Sequence, residues 1–133
     1  MTDFLLDTDA VLRLGFEPAT VKVSAITRLA AATRYVSLIS GIEIAIKRSI
    51  GKLRLPASFD ISFAHGFDET LRQLGAETLA LELRHIEILV ALPLIHRDPF
   101  DRLLISQAIA ENLTIVSGDR KFAAYPGLDV YEI

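Results

Sequence analysis

Residues 4–9 read Phe-Leu-Leu-Asp-Thr-Asp, a short apolar run that ends in carboxylates. An apolar run of this length, bounded by polar residues, predicts a buried strand from Phe4 to Leu6. A helical pattern follows from Ala10 to Leu14, where Gly15 is expected to end it. The chain is therefore expected to open with a strand, an acidic turn and a helix.

The same order of strand and helix recurs along the 133 residues. Further strands are predicted at residues 35–39, 77–81, 114–117 and 129–131, and further helices at residues 21–33, 42–50, 59–74, 82–92 and 99–112, with a short basic helix after residue 119. Short apolar strands that alternate with helices predict an α/β fold, with a mostly parallel central sheet flanked by helices on both faces. The length is typical of one domain, so we expect residues 1–133 to form a single unit.

Capping patterns mark two of the predicted helices. Ser40 and Glu43 have the spacing of a capping box, which predicts that Ser40 caps a helix whose first turn contains Glu43. Asp98 precedes Pro99, the preferred order of an N-cap and the first helical residue. Gly66 is expected to weaken the middle of the helix at residues 59–74.

Composition excludes several classes of site and leaves the substrate open. The chain has 51% hydrophobic residues, a net charge of −3 and no cysteine. The apolar fraction leaves surface for a partner, while the missing cysteine excludes disulfides, thiolate metal sites and a cysteine nucleophile. The net charge argues against a nucleic-acid binder that works through a broad basic face, although bound divalent cations can offset repulsion of phosphate. No signal peptide or membrane span is predicted, so we expect a cytoplasmic protein.

Four carboxylates follow predicted strands or begin predicted helices, namely Asp7, Glu43, Asp101 and Asp119. Ligands of open α/β sheets bind outside the carboxyl ends of the strands, so we expect these acids to converge. Crowded carboxylates repel one another unless they share protons or cations, and hard oxygen ligands favour Mg²⁺ or Mn²⁺. Such a site supports phosphodiester hydrolysis by a metal-activated water, with no side-chain nucleophile.

Each acid also has a purely structural interpretation. Glu43 can complete the capping box and pair with Lys47 one turn later. Asp101 complements a helix dipole, and Asp119 can cap the short helix that follows it. Asp7 is the hardest to explain by structure alone, because an acid at the end of a buried strand needs a partner.

The histidines and the basic residues are less informative. His96 and His85 have no second nitrogen ligand beside them, so a surface or hydrogen-bonding role is expected for both, and His65 fits no pattern. The basic residues are expected to form a solvated rim first and to contact an RNA backbone second; they are Lys47, Arg48, Lys52, Arg54, Arg102, Arg120 and Lys121.

Four stretches, in order and covering nearly the whole chain, resemble the VapC-type PIN-domain toxins. They are Leu5-Leu6-Asp7-Thr8, then Val36-Ser37 through Glu43-Ile44-Ala45-Ile46-Lys47 with Gly51-Lys52-Leu53, then the run from His96 to Ile105 that contains Asp98-Pro99-Phe100-Asp101, and finally Asp119-Arg120-Lys121-Phe122. The resemblance implies a Mg²⁺- or Mn²⁺-dependent endoribonuclease toxin that cuts RNA, is restrained by a cognate VapB-type antitoxin and is commonly a homodimer.

By position, the resemblance implies a metal site formed by Asp7, Glu43, Asp101 and Asp119. Ser117 stands where the family often has a threonine. Asp98 also matches the family's motif, with a role secondary to that of the four acids. Two departures occur: Asp9 stands where the family often has histidine, and residues 13–20 are compressed. The first adds a negative charge beside the metal, and neither removes one of the four acids.

Two other functions fit part of the pattern. Asp7-Thr8-Asp9-Ala10-Val11 and Gly118-Asp119 also resemble motifs of a haloacid-dehalogenase-like phosphohydrolase, but its second late acid is expected near position 123, which is Ala123, and Glu43 and Asp101 stay unexplained. The other alternative is a non-catalytic PIN-like scaffold that binds RNA or protein. Loss of one of the acids would favour it, and all four are present.

Overall fold

The computed structural model describes residues 2–133. Its strands are β1 (Phe4–Leu6), β2 (Arg34–Ser37), β3 (Glu77–Leu79), β4 (Thr114–Ser117) and β5 (Val130–Glu132). Its α-helices are α1 (Thr8–Phe16), α2 (Val23–Ala30), α3 (Leu38–Ser49), α4 (Ser58–Ile61), α5 (Phe63–Leu74), α6 (Leu83–Ala91) and α7 (Pro99–Glu111). Two short 3₁₀ helices span Pro18–Thr20 and Arg120–Ala124.

The five strands form one parallel sheet in the order β3-β2-β1-β4-β5. Leu5 in the central strand lies opposite Tyr35 on one side and Ile115 on the other. The predicted parallel α/β sheet is therefore confirmed. Because β1 is central, the turn after it lies beside the ends of both β2 and β4, which places three strand exits at one edge.

Hydrophobic clusters cover both faces of the sheet, as predicted. Phe4 and Leu6 point to one face, where they pack with residues of α1, α2 and α5. Leu5 points to the other face, where it packs with Leu104 of α7 and with Phe122. The two clusters hold the strand ends rigidly between helices. Within residues 2–133, no helix is both long and apolar enough to cross a membrane.

The capping box predicted at Ser40 is wrong. Strand β2 ends at Ser37 rather than Ile39, and α3 begins at Leu38, with the Ser37 hydroxyl accepting a hydrogen bond from the Ile39 amide at 3.0 Å. The apolar run continues through the change from strand to helix, so its periodicity hides the boundary. Ser40 instead lies inside the helix and accepts a hydrogen bond from Thr8, and Glu43 falls in the second helical turn, facing inward.

The helix predicted at residues 59–74 is two helices, and the break is not at Gly66. Ser62 has an extended backbone, and its hydroxyl accepts a hydrogen bond from the His65 amide at 3.0 Å, which starts α5. Gly66 lies within α5 against the Phe59 ring, where a Cβ atom would approach a ring carbon to 2.3 Å. The glycine therefore serves close packing of α4 on α5.

The observed limits of the other helices differ from the predicted ones by a few residues. Among these helices, α1 bears on the acid at the end of β1. It begins at Thr8 rather than Ala10 because the Asp7 carboxylate accepts a hydrogen bond from the Ala10 amide, and it continues through Gly15 to Phe16. The acid at the end of β1 is thus also the cap of α1.

Candidate active site

A cleft of about 590 Å³ opens at the carboxyl ends of the central strands. Asp7 enters it from the end of β1, Glu43 from α3, Asp101 from α7 and Asp119 from the turn after β4. Ser117, Asp9 and Asp98 line the same cleft. The structure therefore brings together all four acids that the sequence selects, as well as the three secondary positions.

Asp7 is both a helix cap and an acid of the cleft. It is buried, and Oδ1 accepts the Ala10 amide at 2.8 Å. Burial raises the pKa of Asp7 to about 6, an effect that Asp9 and Glu43 reinforce and that the Ser117 hydroxyl and the Ala10 amide oppose. A capping role alone does not account for an acid buried beside other acids.

Glu43 carries an unsatisfied oxygen. Its side chain is buried, and Oε2 pairs with the Lys47 ammonium at 2.8 Å, as the sequence spacing predicts. Oε1 is also buried, yet no group among residues 2–133 donates a hydrogen bond to it. An orphaned buried acceptor costs free energy, and it would be satisfied by a cation in the cleft.

Asp101 lies in the first turn of α7, next to the Asp98 cap. Asp98 Oδ1 accepts the Phe100 amide at 2.9 Å and the Asp101 amide at 3.3 Å, so Asp98 has the capping role that the sequence indicates. Burial raises the pKa of Asp101 to about 7, and the negative charges of Asp98, Glu43 and Asp7 add to the effect, while His96 opposes it. Asp101 therefore lies where an additional positive charge would be favourable.

Asp119 is the most exposed of the four acids and is held from two sides. Oδ1 accepts the Lys121 amide at 2.9 Å, which makes Asp119 the cap of the second 3₁₀ helix. Oδ2 is hydrogen-bonded to His96 Nε2 at 2.9 Å. The His96 contact and the Lys121 amide lower the pKa of Asp119, so this carboxylate is ionised at neutral pH.

His96 is the residue of the site that sequence analysis missed. It makes the hydrogen bond expected of it with Asp119, and its Nε2 also lies 3.5 Å from Asp101 Oδ2. His96, Asp101 and Asp119 each offer a potential ligand atom within 4.8 Å of the others. The sequence indications are its place in the loop that leads into α7, at the same sheet edge as the acids, and its position at the start of the run from His96 to Ile105 that carries the resemblance.

His85 also lies between two carboxylates, but its role is structural. Its buried Nδ1 accepts the Glu82 amide at 3.0 Å, so Nε2 carries the proton and donates to Glu111 at 2.8 Å. Arg84 contacts both carboxylates as well. The cluster ties the start of α6 to the end of α7, which is the hydrogen-bonding role that the sequence predicts.

Five of the seven basic residues selected from the sequence fall into two groups. Arg48 pairs with Asp60, and Arg102 donates to the carbonyl oxygens of Leu92 and Pro93, so these two hold the structure together. Three others line the acidic cleft or the groove beside it, and they are Lys47, Lys52 and Arg120. The second group is placed to meet a ligand of the cleft, as are Arg13, which lines the cleft, and Arg97, which lines the groove.

The parallel sheet and its acidic strand edge define an α/β domain with a carboxylate-lined ligand cleft. Residues 4–128 match the model of the PIN domain, so the chain belongs to the PIN domain family. This result does not support the haloacid-dehalogenase-like alternative. No curated protein sequence matched the chain.

Solved structures with the same fold cover the whole chain at low identity. One is VapBC2 from Rickettsia felis, bound to a DNA fragment from its promoter, with a TM-score of 0.76, 20% identity and coverage of 98% of both chains. DNA-bound VapBC from Salmonella typhimurium gives a TM-score of 0.69, 17% identity and coverage of 99% of this chain and 98% of the other. FitAcB from Neisseria gonorrhoeae gives a TM-score of 0.64 and 17% identity, with coverage of 97% of this chain and 96% of the other. At these identities, the likeness establishes the fold.

Proposed function

We propose that this chain is a divalent-metal-dependent endoribonuclease and the toxin of a type II toxin–antitoxin pair. The observation that carries the proposal is the unpartnered, buried Oε1 of Glu43 in a cleft shared with three further acids. Membership of the PIN domain family supports it, because nuclease activity is general in that family.

The donor set fits a hard divalent cation. Asp7, Glu43, Asp101 and Asp119 supply only carboxylate oxygens, which Mg²⁺ and Mn²⁺ prefer. The raised pKa values of Asp7 and Asp101 come from burial first and from neighbouring negative charges second, and a bound cation would favour the ionised form of both acids. When bound, such an ion lowers the pKa of a coordinated water and stabilises the in-line displacement at phosphorus.

The chain's own residues would bind and orient the RNA. Lys47 lies on the rim, next to Glu43, and lines both the acidic cleft and the adjoining groove. Lys52 and Arg97 line the same groove, and Arg120 lies at the other side of the cleft. These side chains place positive charge at the cleft, although the chain as a whole has a net charge of −3. Such local charge suits an RNA backbone that lies along the cleft, and no broad basic face is needed.

An antitoxin and a second copy of the chain are the proposed protein partners. The Rickettsia felis and Salmonella typhimurium structures are VapBC complexes. In this chain, α3 presents an exposed apolar stripe at helical spacing, formed by Leu38, Ile42, Ile46 and Ile50. A second exposed apolar set lies on and after α6 and includes Leu83, Val90 and Leu94. These two surfaces supply the apolar area that such complexes bury.

The proposed location follows from the proposed activity, since a toxin that cuts cellular RNA acts in the cytoplasm.

The test is cleavage of RNA by the purified chain, free of antitoxin. We expect cleavage with Mg²⁺ or Mn²⁺, none with EDTA, and none from an Asp7→Asn protein purified in parallel. Activity that persists in excess chelator, while the Asp7→Asn preparation is inactive, would contradict the metal mechanism. Uninhibited growth of several hosts that express soluble, folded protein would contradict the toxin assignment.

A further inference from the structure

We propose that His96 is a positioning residue that holds Asp119 and Asp101 together at the metal centre, an inference that rests on the proposed function. His96 Nε2 lies 2.9 Å from Asp119 Oδ2 and 3.5 Å from Asp101 Oδ2. It is the side chain that joins these two acids, which come from separate parts of the chain.

Asp119 depends on such a contact more than the other acids do. Its side chain is 39% exposed, against 5% for Glu43, and it lies in the turn after β4, beyond Gly118. The Lys121 amide holds Oδ1, which leaves Oδ2 to be fixed by His96. Without the imidazole, Oδ2 would face water and the carboxylate would be free to rotate away from Asp101.

His96 is itself held firmly, as a positioning residue must be. Its backbone amide donates to the Tyr125 hydroxyl at 2.6 Å, and its ring packs edge-on against Phe122 at a centroid distance of 5.3 Å. Phe122 and Tyr125 are both buried, and they lie in and just after the 3₁₀ helix that Asp119 caps. The loop before α7 and the segment after β4 are therefore joined at three points.

The geometry favours a hydrogen bond to the acids over direct coordination by His96. His96 Nε2, the ring nitrogen that faces the acids, already lies at hydrogen-bond distance from Asp119 Oδ2, 2.9 Å away. An Nε2–H that donates to Asp119 leaves further lone pairs on both carboxylates for a cation.

The test is the affinity of the purified chain for Mg²⁺ and for Mn²⁺, measured by titration calorimetry. His96→Phe keeps an aromatic ring against Phe122 but removes the donor, and we expect it to bind both ions about 10–100-fold more weakly, the usual effect of losing a partner of a ligating carboxylate. His96→Gln restores an N–H donor and is expected to recover most of that loss. His65→Ala, which replaces an exposed histidine outside the cleft, is the matched control and should bind like wild type.

Three results would overturn the inference. Wild-type affinity in His96→Phe would show that the ring only packs. A His96→Gln variant that binds both ions as weakly as His96→Phe would show that the lost N–H donor is not the cause of the loss. A wild-type chain that binds neither ion would contradict the proposed function itself, and the inference with it.

Discussion

The Lys47 ammonium lies 2.8 Å from Glu43 Oε2, so the metal-free centre already contains one cation among its acids. Glu43 is buried and uses one oxygen for this pair, while its other oxygen has no partner among residues 2–133. The contact raises the pKa of Lys47, which stays charged. Lys47 therefore compensates the acidic cleft in part when no metal is bound.

Lys47→Met should destabilise the metal-free chain, because a buried carboxylate loses its partner. Breaking a fully buried pair costs about 3–5 kcal/mol, but Lys47 is 44% exposed, so we expect about 1 kcal/mol. Urea unfolding in EDTA measures it. Arg72→Met is the control, since Arg72 is 73% exposed and pairs with Glu69 outside the cleft, and its effect should be smaller. Equal costs for the two variants would argue against a special role for the Glu43 pair.

Stability of the metal-free chain should fall as pH rises from about 4 to about 7. The pKa values of Asp7 and Asp101 are raised to about 6 and about 7 in the folded chain, against about 3.9 in an unfolded chain. The folded state binds more protons in this range, so the free energy of unfolding decreases with pH, by up to roughly 1.4 kcal/mol for each unit by which a pKa is raised.

The same measurement with saturating Mn²⁺ should show the opposite trend over this range. The ion binds ionised carboxylates, so protons compete with it and stability drops as the pH is lowered. Urea unfolding at several pH values, with EDTA or with Mn²⁺, checks both trends. A metal-free stability that rises from pH 5 to pH 7 would contradict the crowding of these acids.

Asp101→Asn should abolish RNA cleavage while leaving the metal-free stability unchanged or raised. Removing one charge relieves the repulsion that Asp98, Glu43 and Asp7 exert on Asp101. An ion that binds only the folded state stabilises it by about 2.7 kcal/mol at a hundred times its dissociation constant, so Mn²⁺ should raise the melting temperature of wild type more than that of the variant.

A purely structural Asp101 gives the reverse pattern. If the residue served only the dipole of α7, the substitution would lower stability at any metal level and spare activity. Thermal melts of both proteins, with and without Mn²⁺, distinguish the two cases. Equal shifts of melting temperature on adding metal would count against a shared site.

Gly66→Ala should destabilise the chain, although alanine is the better helix former. The added Cβ would meet the Phe59 ring at 2.3 Å, and overpacking of this kind costs about 1–3 kcal/mol. Urea unfolding of Gly66→Ala in the wild type and in a Phe59→Ala background measures the effect. The cost should vanish in the second background, and a stabilised Gly66→Ala single variant would refute the packing explanation.

Sequence predicted the sheet and the convergence of the acids because both follow from local patterns. Short apolar runs identify the strands, and acids that follow a strand or begin the helix beside it lie at one edge of a parallel sheet. The start of α3 was not predictable in this way, since Ile39 continues the apolar pattern of β2 into the helix. The break at Ser62, where the backbone is extended and the hydroxyl caps α5, interrupts a helical pattern that periodicity alone continues through it.

The role of His96 was hidden for a related reason. Its three partners all lie in the segment after β4; they are the Asp119 carboxylate, the Phe122 ring and the Tyr125 hydroxyl. Spacing in sequence indicates which residues share a helix face or a strand end. It does not show that a loop will fold back on a distant 3₁₀ helix, because that contact depends on tertiary packing.

The most direct test of the central claim, that four acids form one cation site, is anomalous scattering from a crystal soaked in Mn²⁺. We expect a peak in the cleft, within bonding distance of carboxylate oxygens of Asp7 and Asp101, with Glu43 and Asp119 directed at the same ion or at its bound water. A peak at the Glu82–His85–Glu111 cluster with none in the cleft, or no ordered Mn²⁺ at saturating concentration, would contradict it.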